Sequence, residues 1–144
     1  MQTQSYKSHS RYVPMYHFVL LPLIGACLVL SIWNAYNAFH VHHGRLQAIM
    51  FFIISDAILA MCFFIRGFAL GAQDRAIRAE ENFRHFILTG KPFDSRLRLG
   101  QIIALRFADD SEFPSLAQKA ADENIKGDDI KKAIQNWRAD HHRV

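Results

Sequence analysis

The sequence predicts an all-α protein, in which an N-terminal transmembrane helical hairpin is followed by a small cytoplasmic domain of about four helices. Two observations lead to this prediction. Residues 16–39 and 46–70 form two long apolar runs, separated only by the hexapeptide HVHHGR. After residue 70 the chain becomes hydrophilic, and its apolar residues recur at helical spacing.

Length sets the boundaries of the hairpin. The second run has 25 residues, and a helix of that length, at about 1.5 Å per residue, exceeds the roughly 30 Å of a bilayer's hydrocarbon core. Six residues can turn a chain but cannot hold a domain, so we expect the two spans to be antiparallel. The predicted organisation is a polar tail over residues 1–15, a hairpin over 16–70 and a cytoplasmic domain over 71–144.

Orientation follows from the positive side chains that flank the spans, since these are retained in the cytoplasm. The connecting turn contains only Arg45. The other flanking positive residues, which lie before the first span or at and after the end of the second, are Lys7, Arg11, Arg66, Arg75, Arg78 and Arg84. We therefore expect both termini in the cytoplasm and the turn outside.

Cleavage of the first span is the alternative to a permanent anchor. The tetrapeptide at residues 24–27, IGAC, resembles a lipoprotein processing box, in which Cys27 would become lipidated. The residues that follow, LVLSIW, remain apolar, and the run is too long for a signal-peptide core. An uncleaved span is the favoured prediction.

Small residues form a stripe on each span, and such stripes let two helices approach closely where lipid supplies no hydrophobic driving force. The first span contributes Cys27, Ser31 and Ala35, and the second contributes Asp56, Ala60, Gly67 and Gly71. We expect these to be helix-packing faces.

Asp56 is the costliest residue of the sequence, because a carboxylate at the bilayer centre costs at least about 2.5 to 3.5 kcal/mol. The favoured interpretation is a neutral Asp56 side chain that is hydrogen-bonded either across the hairpin, where Ser31 and Cys27 lie at a similar depth, or to another copy of the chain. The alternative is movement of protons or ions, which normally requires a relay of such groups.

Three histidines in and beside the turn, His40, His42 and His43, form an HxHH cluster that suits zinc, copper or nickel. A structural site usually takes four ligands, so two facing copies would have to share them, and a polar interfacial turn is the favoured interpretation. No phosphate loop, nucleophile elbow, HExxH or CxxC motif occurs. We predict no enzyme activity and no cofactor.

Four helical segments are predicted after the second span. The first continues it without a break over residues 73–88, with an apolar side formed by Ile77, Phe83, Phe86 and Ile87 and with water-facing i,i+4 pairs such as Glu80 with Arg84. The others are residues 95–108 with Asp94 as N-cap, a segment from 113 to 121 that Asn124 and Gly127 terminate, and residues 128–139.

Charge makes nucleic-acid binding an improbable function of this part. Residues 71–144 contain 13 Lys/Arg and 12 Asp/Glu, so the basic isoelectric point does not come from them. Contact with a membrane surface or nucleic acid through arginines is disfavoured because acids alternate with these bases: Arg75, Arg78, Arg84, Arg96, Arg98 and Arg106.

Three segments resemble an uncharacterised family of small bacterial two-span membrane proteins, a domain of unknown function. They are SHSRYVPMYHFVLLPL (8–23), QDRAIRAEENFRHFILTGKPFDSRLRLGQIIALRFA (73–108) and IKKAIQNWRADHHR (130–143). The resemblance implies an inner-membrane protein with an N-terminal hairpin, and it implies no substrate, cofactor or catalytic residue. The turn HVHHGR does not match the family pattern.

Together these features predict a non-enzymatic inner-membrane protein. Its partners would be the lipid bilayer and either further copies of itself or a membrane-protein complex, which its cytoplasmic helices dock or support. The alternative is an accessory subunit of a redox or transport complex that uses Asp56 or the turn of His40, His42 and His43 for ion or metal handling.

Overall fold

A computed structural model describes Tyr6 and residues 12–140. Within that part the chain forms five α-helices and no β-strand, so the all-α prediction is confirmed. The helices are α1 (Leu21–Val41), α2 (Arg45–Thr89), α3 (Leu99–Leu105), α4 (Phe113–Glu123) and α5 (Gly127–Ala133). Most of the predicted polar tail, including Lys7 and Arg11, lies outside the described residues.

The chain divides into two compact units. One comprises residues 12–69, and the other comprises residues 70–144 together with 1–11. The helix α2 contributes to both, because it continues past residue 70 as the sequence predicts.

In the unit of residues 12–69, a π-helical turn, Met15–Leu20, leads directly into α1. Pro22, near the start of α1, has no N–H to donate to the preceding turn, and the wider π-helical turn lies at this point. At the other end α1 ends at Val41, and the next residue, His42, has a left-handed φ of 61°.

Burial in this unit recurs every three or four residues on both helices. Ile24 and Ser31 are buried on α1, as are Ala48 and Cys62 on α2. Half-buried residues continue the same two faces, namely Leu21, Leu28, Ala35 and Ala38 on α1 and Ser55, Leu59, Arg66 and Ala69 on α2. This spacing is that of helices that pack with a heptad repeat.

Contacts occur near both ends of these faces. The Arg66 guanidinium lies 5.1 Å from the centre of the Tyr16 ring, and that of Arg45 lies 5.5 Å from the Phe39 ring. The other faces expose large apolar side chains such as Phe68. In the most apolar 18-residue window of each helix, only 11% of the residues are buried.

The unit of residues 70–144 has its own hydrophobic core. Its fully buried large side chains are Ile102, Leu105, Phe107, Phe113 and Ile130, and alanines of α4 pack among them. α2 ends at Thr89, where Gly90 takes a left-handed φ of 72° that favours glycine. The predicted end of this helix near residue 88 is confirmed to within one residue.

Helix α3 is shorter than the predicted helix of residues 95–108. Asp94 accepts a hydrogen bond from the backbone N–H of Arg96, but it caps only one turn, and Arg98 is extended before the helix begins at Leu99. The buried Gln101 amide then donates to the backbone oxygens of Ala120 and Ile125. This buried amide joins α3 to α4 and to the loop after it.

Helix α4 confirms the predicted segment, and Asn124 ends it in a left-handed conformation with a φ of 49°. Gly127 is not a break, because α5 begins there. The prediction that the last helix reaches residue 139 is wrong, since α5 ends at Ala133 and the chain then extends past α3. There the backbone N–H of Arg138 donates to the oxygen of Phe107 over 2.7 Å.

Candidate interaction surface

The segment of α2 from residue 73 to residue 89 has one face packed into the C-terminal core. Ile77 and Glu81 are buried on this face, and Arg84 and His85 are half-buried beside them. His85 lies between aromatic rings, with its centroid 4.8 Å from that of Phe93. The packed face therefore mixes apolar, charged and aromatic groups.

Arg84 provides most of the polar contacts on the packed face. Its guanidinium donates to Glu81 over 3.0 Å, to Asp110 over 2.6 Å and to the backbone oxygen of Ala108 over 2.7 Å. The same group lies 4.2 Å from the centre of the Phe113 ring. Only 12% of the Arg84 side chain is exposed, so it links α2 to the loop between α3 and α4.

The opposite face of this segment is apolar, and none of the described residues covers it. Phe83 is 65% exposed, Phe86 51% and Ile87 66%. The exposed Ala76 and Ala79 extend this face toward the start of the segment. We call these five residues the Phe83 face.

The predicted apolar side of this segment needs one correction. Ile77 does not lie with Phe83, Phe86 and Ile87, because it is buried in the core on the packed face. Six residues separate Ile77 from Phe83, and at about 100° per residue they point about 120° apart. The segment therefore has two apolar faces, and the described part of the chain buries the one that contains Ile77.

A groove of about 420 Å³ borders the Phe83 face. Phe83, Ile87 and Leu88 supply its apolar wall, while Asp110 and Arg138 supply charge from outside α2. A neighbouring cleft of about 400 Å³ shares Glu80, Glu81 and Arg138 and is otherwise lined by Ile77, Arg106, Ala139 and Asp140. An apolar ridge beside charges of both signs can hold an amphipathic peptide or helix.

Sequence reasoning missed Asp110 and Arg138 as neighbours of this helix. Asp110 is 26 residues from Arg84, and such a separation leaves no periodic signal in the sequence. Only the fold brings these residues to the groove.

A second charged cluster lies on the surface around Arg96. Its guanidinium bridges Asp94 at 2.7 Å and Asp122 at 2.9 Å. The side-chain hydrogen bond from Arg96 lowers the pKa of Asp94 to about 2, and the bond to Asp94 raises the pKa of Arg96. Hydrogen bonds from Gln118 and Arg96 lower the pKa of Asp122. The cluster ties α4 to the turn after α2, which is a structural role.

The structure does not join Asp56 to Ser31. Asp56 is exposed, and no hydrogen bond or ion pair links it to another described residue. The Ser31 hydroxyl instead donates to the backbone oxygen of Leu28 over 2.7 Å. On α2 the residue that lies on the partly buried face is Ser55, and Asp56 next to it is exposed.

The predicted packing stripes also differ from the buried faces. Ser31 is buried and Ala35 half-buried, but Cys27 is exposed on α1. On α2 the residues of the predicted stripe are all exposed: Asp56, Ala60, Gly67 and Gly71. The face that α2 buries begins at Ala48 and passes through Cys62, so it lies about a third of a turn from the stripe.

The three histidines of the predicted metal cluster have different surroundings. His40 stacks on Tyr36, with centroids 6.0 Å apart, and the Nδ1 of His42 accepts a hydrogen bond from Arg45. Among the described residues there is no group of three or more His, Cys, Asp or Glu placed to hold a metal ion. A site built on His40, His42 and His43 would need a second copy.

The fold and these surfaces define a class: all-helical proteins with two helices long and apolar enough to cross a membrane, and with a separate helical C-terminal unit. The chain belongs to a family of unknown function, DUF6526, whose model matches residues 1–144. No curated protein and no solved structure matches it.

Proposed function

We propose that this chain is a non-enzymatic, bacterial inner-membrane protein that docks another protein through its C-terminal helical unit. The observation that carries the docking role is the Phe83 face, an apolar helix surface that no described part of the chain covers. Contiguous exposed apolar surface is rare on monomeric soluble proteins, and where it occurs it marks an interaction site.

Exposure supports the membrane part of the proposal. α1 with its leading turn and α2 contain windows of mean hydropathy 2.1 and 2.5, yet only 11% of each window is buried. A core helix of a soluble protein would bury most of such a window. The exposed phenylalanines and isoleucines of residues 12–69 are instead the surface that a lipid environment requires.

Two contacts support a helical hairpin. Arg66 near the end of the second apolar run lies over Tyr16 at the start of the first, and Arg45 lies over Phe39 beside the turn. Antiparallel helices bring these residues together in this order. The aromatic rings and arginines at both ends match the interfacial girdle of membrane helices.

The docking role is tested by site-specific photocrosslinking in native membranes. We expect Phe83→p-benzoylphenylalanine to give one discrete adduct, because the exposed ring would lie within the interface. Lys119→p-benzoylphenylalanine on the exposed side of α4 is the matched control and should give none.

Specificity is tested with a second change on the same face. Ile87→Ser should remove the adduct at position 83, since it places a hydroxyl one helical turn from Phe83 in the apolar surface. Equal labelling at positions 83 and 119, or no adduct at either, would contradict the docking role.

A further inference from the structure

Six arginines lie between residues 71 and 106, and the structure divides them into two groups. Three form ion pairs with carboxylates of the chain, namely Arg84 with Asp110, Arg96 with Asp122 and Arg106 with Asp140. The other three form no ion pair with any described residue: Arg75, Arg78 and Arg98. The acids that alternate with these bases in the sequence therefore neutralise only half of them.

Two of the unpaired arginines line one groove of about 500 Å³ in the C-terminal unit. Arg75, Arg78 and Asn82 follow one another at i, i+3 and i+7, so they lie on one side of α2. The turn after α2 supplies the opposite wall, which includes Asp94 and Ser95. We call this site the Arg75 groove.

The Arg75 groove also contains neutral hydrogen-bond donors that the described part of the chain does not use. The Oδ1 of Asn82 accepts a hydrogen bond from the backbone N–H of Phe93 over 2.8 Å, while its NH2 group makes no hydrogen bond to a described residue. The Ser95 hydroxyl likewise has no partner among the described residues. The one carboxylate of the lining, Asp94, is occupied, because both of its oxygens accept from Arg96.

This set of groups matches the chemistry of a phosphate. Guanidinium groups bind phosphate oxygens through short, charge-assisted hydrogen bonds, and amide and hydroxyl donors can satisfy the remaining oxygens. A free carboxylate would repel the anion, and Asp94 is already paired with Arg96. The Arg75 groove therefore has the positive charge and the donors that a bound phosphate requires.

We infer that the Arg75 groove binds the phosphate group of an anionic membrane lipid. The inference rests on the proposed membrane insertion and goes beyond the docking role, which belongs to the Phe83 face. Basic side chains just beyond a membrane span attract anionic headgroups. This binding site would fix the C-terminal unit to lipid through residues that the fold itself does not need.

The position of the groove along α2 favours a lipid over a dissolved phosphate. The apolar run ends at Leu70 and α2 continues, so about 1.5 Å per residue places Arg75 no more than about 8 Å, and Arg78 about 12 Å, beyond it. The headgroup layer extends about 5 to 8 Å from the hydrocarbon core. Side chains on a helix tilt toward its N-terminus, which here is the direction of the apolar run, so both arginines extend back toward the headgroups.

Native mass spectrometry of the full-length chain tests the groove, with the protein released from detergent micelles that contain equal amounts of phosphatidylglycerol and phosphatidylcholine. We expect the wild-type chain to retain phosphatidylglycerol. Arg75→Gln with Arg78→Gln should weaken its binding about 30-fold, because each basic residue near a membrane surface contributes about 1 kcal/mol. Lys119→Gln with Lys126→Gln removes the same charge from exposed positions elsewhere in the unit and should change it less than about 3-fold.

Further variants separate binding from folding. Circular dichroism of the double Gln variant at positions 75 and 78 should match the wild-type spectrum, since neither arginine forms an ion pair with a described residue. Ser95→Ala removes one donor without changing charge and should weaken phosphatidylglycerol binding about 2- to 10-fold. Arg75→Lys with Arg78→Lys keeps the charge and should bind more tightly than the double Gln variant. If the double Gln variant loses helical content, these two variants decide the result.

Three outcomes would overturn the inference. The first is equal retention of phosphatidylglycerol by the two double Gln variants. The second is equal retention of phosphatidylcholine and phosphatidylglycerol by the wild-type chain, because the groove would then not select an anionic lipid. The third is displacement of phosphatidylglycerol by an equal concentration of inorganic phosphate, which would make the dissolved anion the ligand.

Alkaline carbonate extraction of native membranes separates failure of this inference from failure of the proposed function. If the chain is extracted, the membrane proposal and this inference both fail. If the chain stays in the membrane and still gives the adduct at position 83, while lipid binding is the same in all variants, only the lipid site is overturned.

Discussion

At the scale of single residues, Arg84 shows how far a helical pattern can mislead. Its spacing from Glu80 predicts a water-facing pair, yet the structure pairs it with Glu81 and Asp110. The guanidinium also donates to a backbone oxygen, at Ala108, and lies over Phe113. A single side chain thus satisfies three acceptors while it is largely withdrawn from water.

Loss of Arg84 should therefore destabilise the C-terminal unit. Removing one partner of a buried ion pair leaves the other uncompensated, so Arg84→Ala should lower the free energy of unfolding by about 3 kcal/mol. Urea unfolding of the full chain in detergent measures the change, followed by the fluorescence of Trp137 in a Trp33→Phe background. Arg78→Ala, on the same helix but exposed, should stay within about 0.5 kcal/mol.

An Arg84 variant as stable as the Arg78 variant would contradict the linking role. Arg84→Lys adds a further comparison, because a lysine retains the charge but not the planar fork that reaches several acceptors at once. We expect its stability to lie between those of the wild-type chain and Arg84→Ala.

At the scale of elements, long amphipathic segments could be predicted and tertiary pairing could not. The continuation of α2 to Thr89 and the position of α4 both follow from local periodicity. The predicted helices of residues 95–108 and 128–139 are longer than the observed helices α3 and α5. Their ends give up helical hydrogen bonds for backbone pairing between residues 107–109 and 136–138, which no local pattern records.

The crossing of α3 and α5 depends on Gly127, which sequence reasoning treated only as a helix breaker. A Cβ at Gly127 would lie 2.8 Å from the backbone oxygen of Gly100, whereas a Cβ at Gly100 would meet nothing within 4 Å. At this contact, therefore, only position 127 lacks the space for a side chain.

These two glycines give a matched prediction. Gly127→Ala should destabilise the C-terminal unit by about 1 to 3 kcal/mol, because the backbone of α3 must move to admit the methyl group. Gly100→Ala should be neutral or stabilising by up to about 1 kcal/mol, since alanine is the better helix former. Thermal unfolding by circular dichroism measures both, and equal effects would show that the close approach does not limit packing.

For the candidate surfaces, too, the sequence predicts which residues share a helix face but not whether that face is buried. The apolar residues Phe83, Phe86 and Ile87 were predicted to share a face, but whether that face is core or surface depends on which side Ile77 and Arg84 occupy. Asp56 is likewise exposed, while its neighbour Ser55 lies on the half-buried face of α2. Sequence reasoning placed Asp56 near the level of Ser31 and Cys27 from helix length alone, and length fixes depth in an antiparallel pair but not rotation.

At the scale of the whole molecule, the central prediction is topology. The proposed hairpin has Arg66 at one end, with Arg75 and Arg78 after it, and it has Arg45 alone beside the turn. Positive residues near the ends of spans are retained in the cytoplasm, so the C-terminal unit and the N-terminus should lie there and the turn outside.

Fusions to full-length protein test this arrangement. Green fluorescent protein after Val144 should fluoresce, and alkaline phosphatase there should be inactive, because the first folds in the cytoplasm and the second requires the periplasm. A small tag inserted between His43 and Gly44 should be labelled from outside intact spheroplasts. The control tag is placed after Val144, because a tag between Lys126 and Gly127 would disturb α5. Labelling of the control tag should require permeabilised cells.

Active phosphatase at Val144, with a turn that is labelled only after permeabilisation, would mean the opposite orientation. The Phe83 face would then have to find its partner in the periplasm.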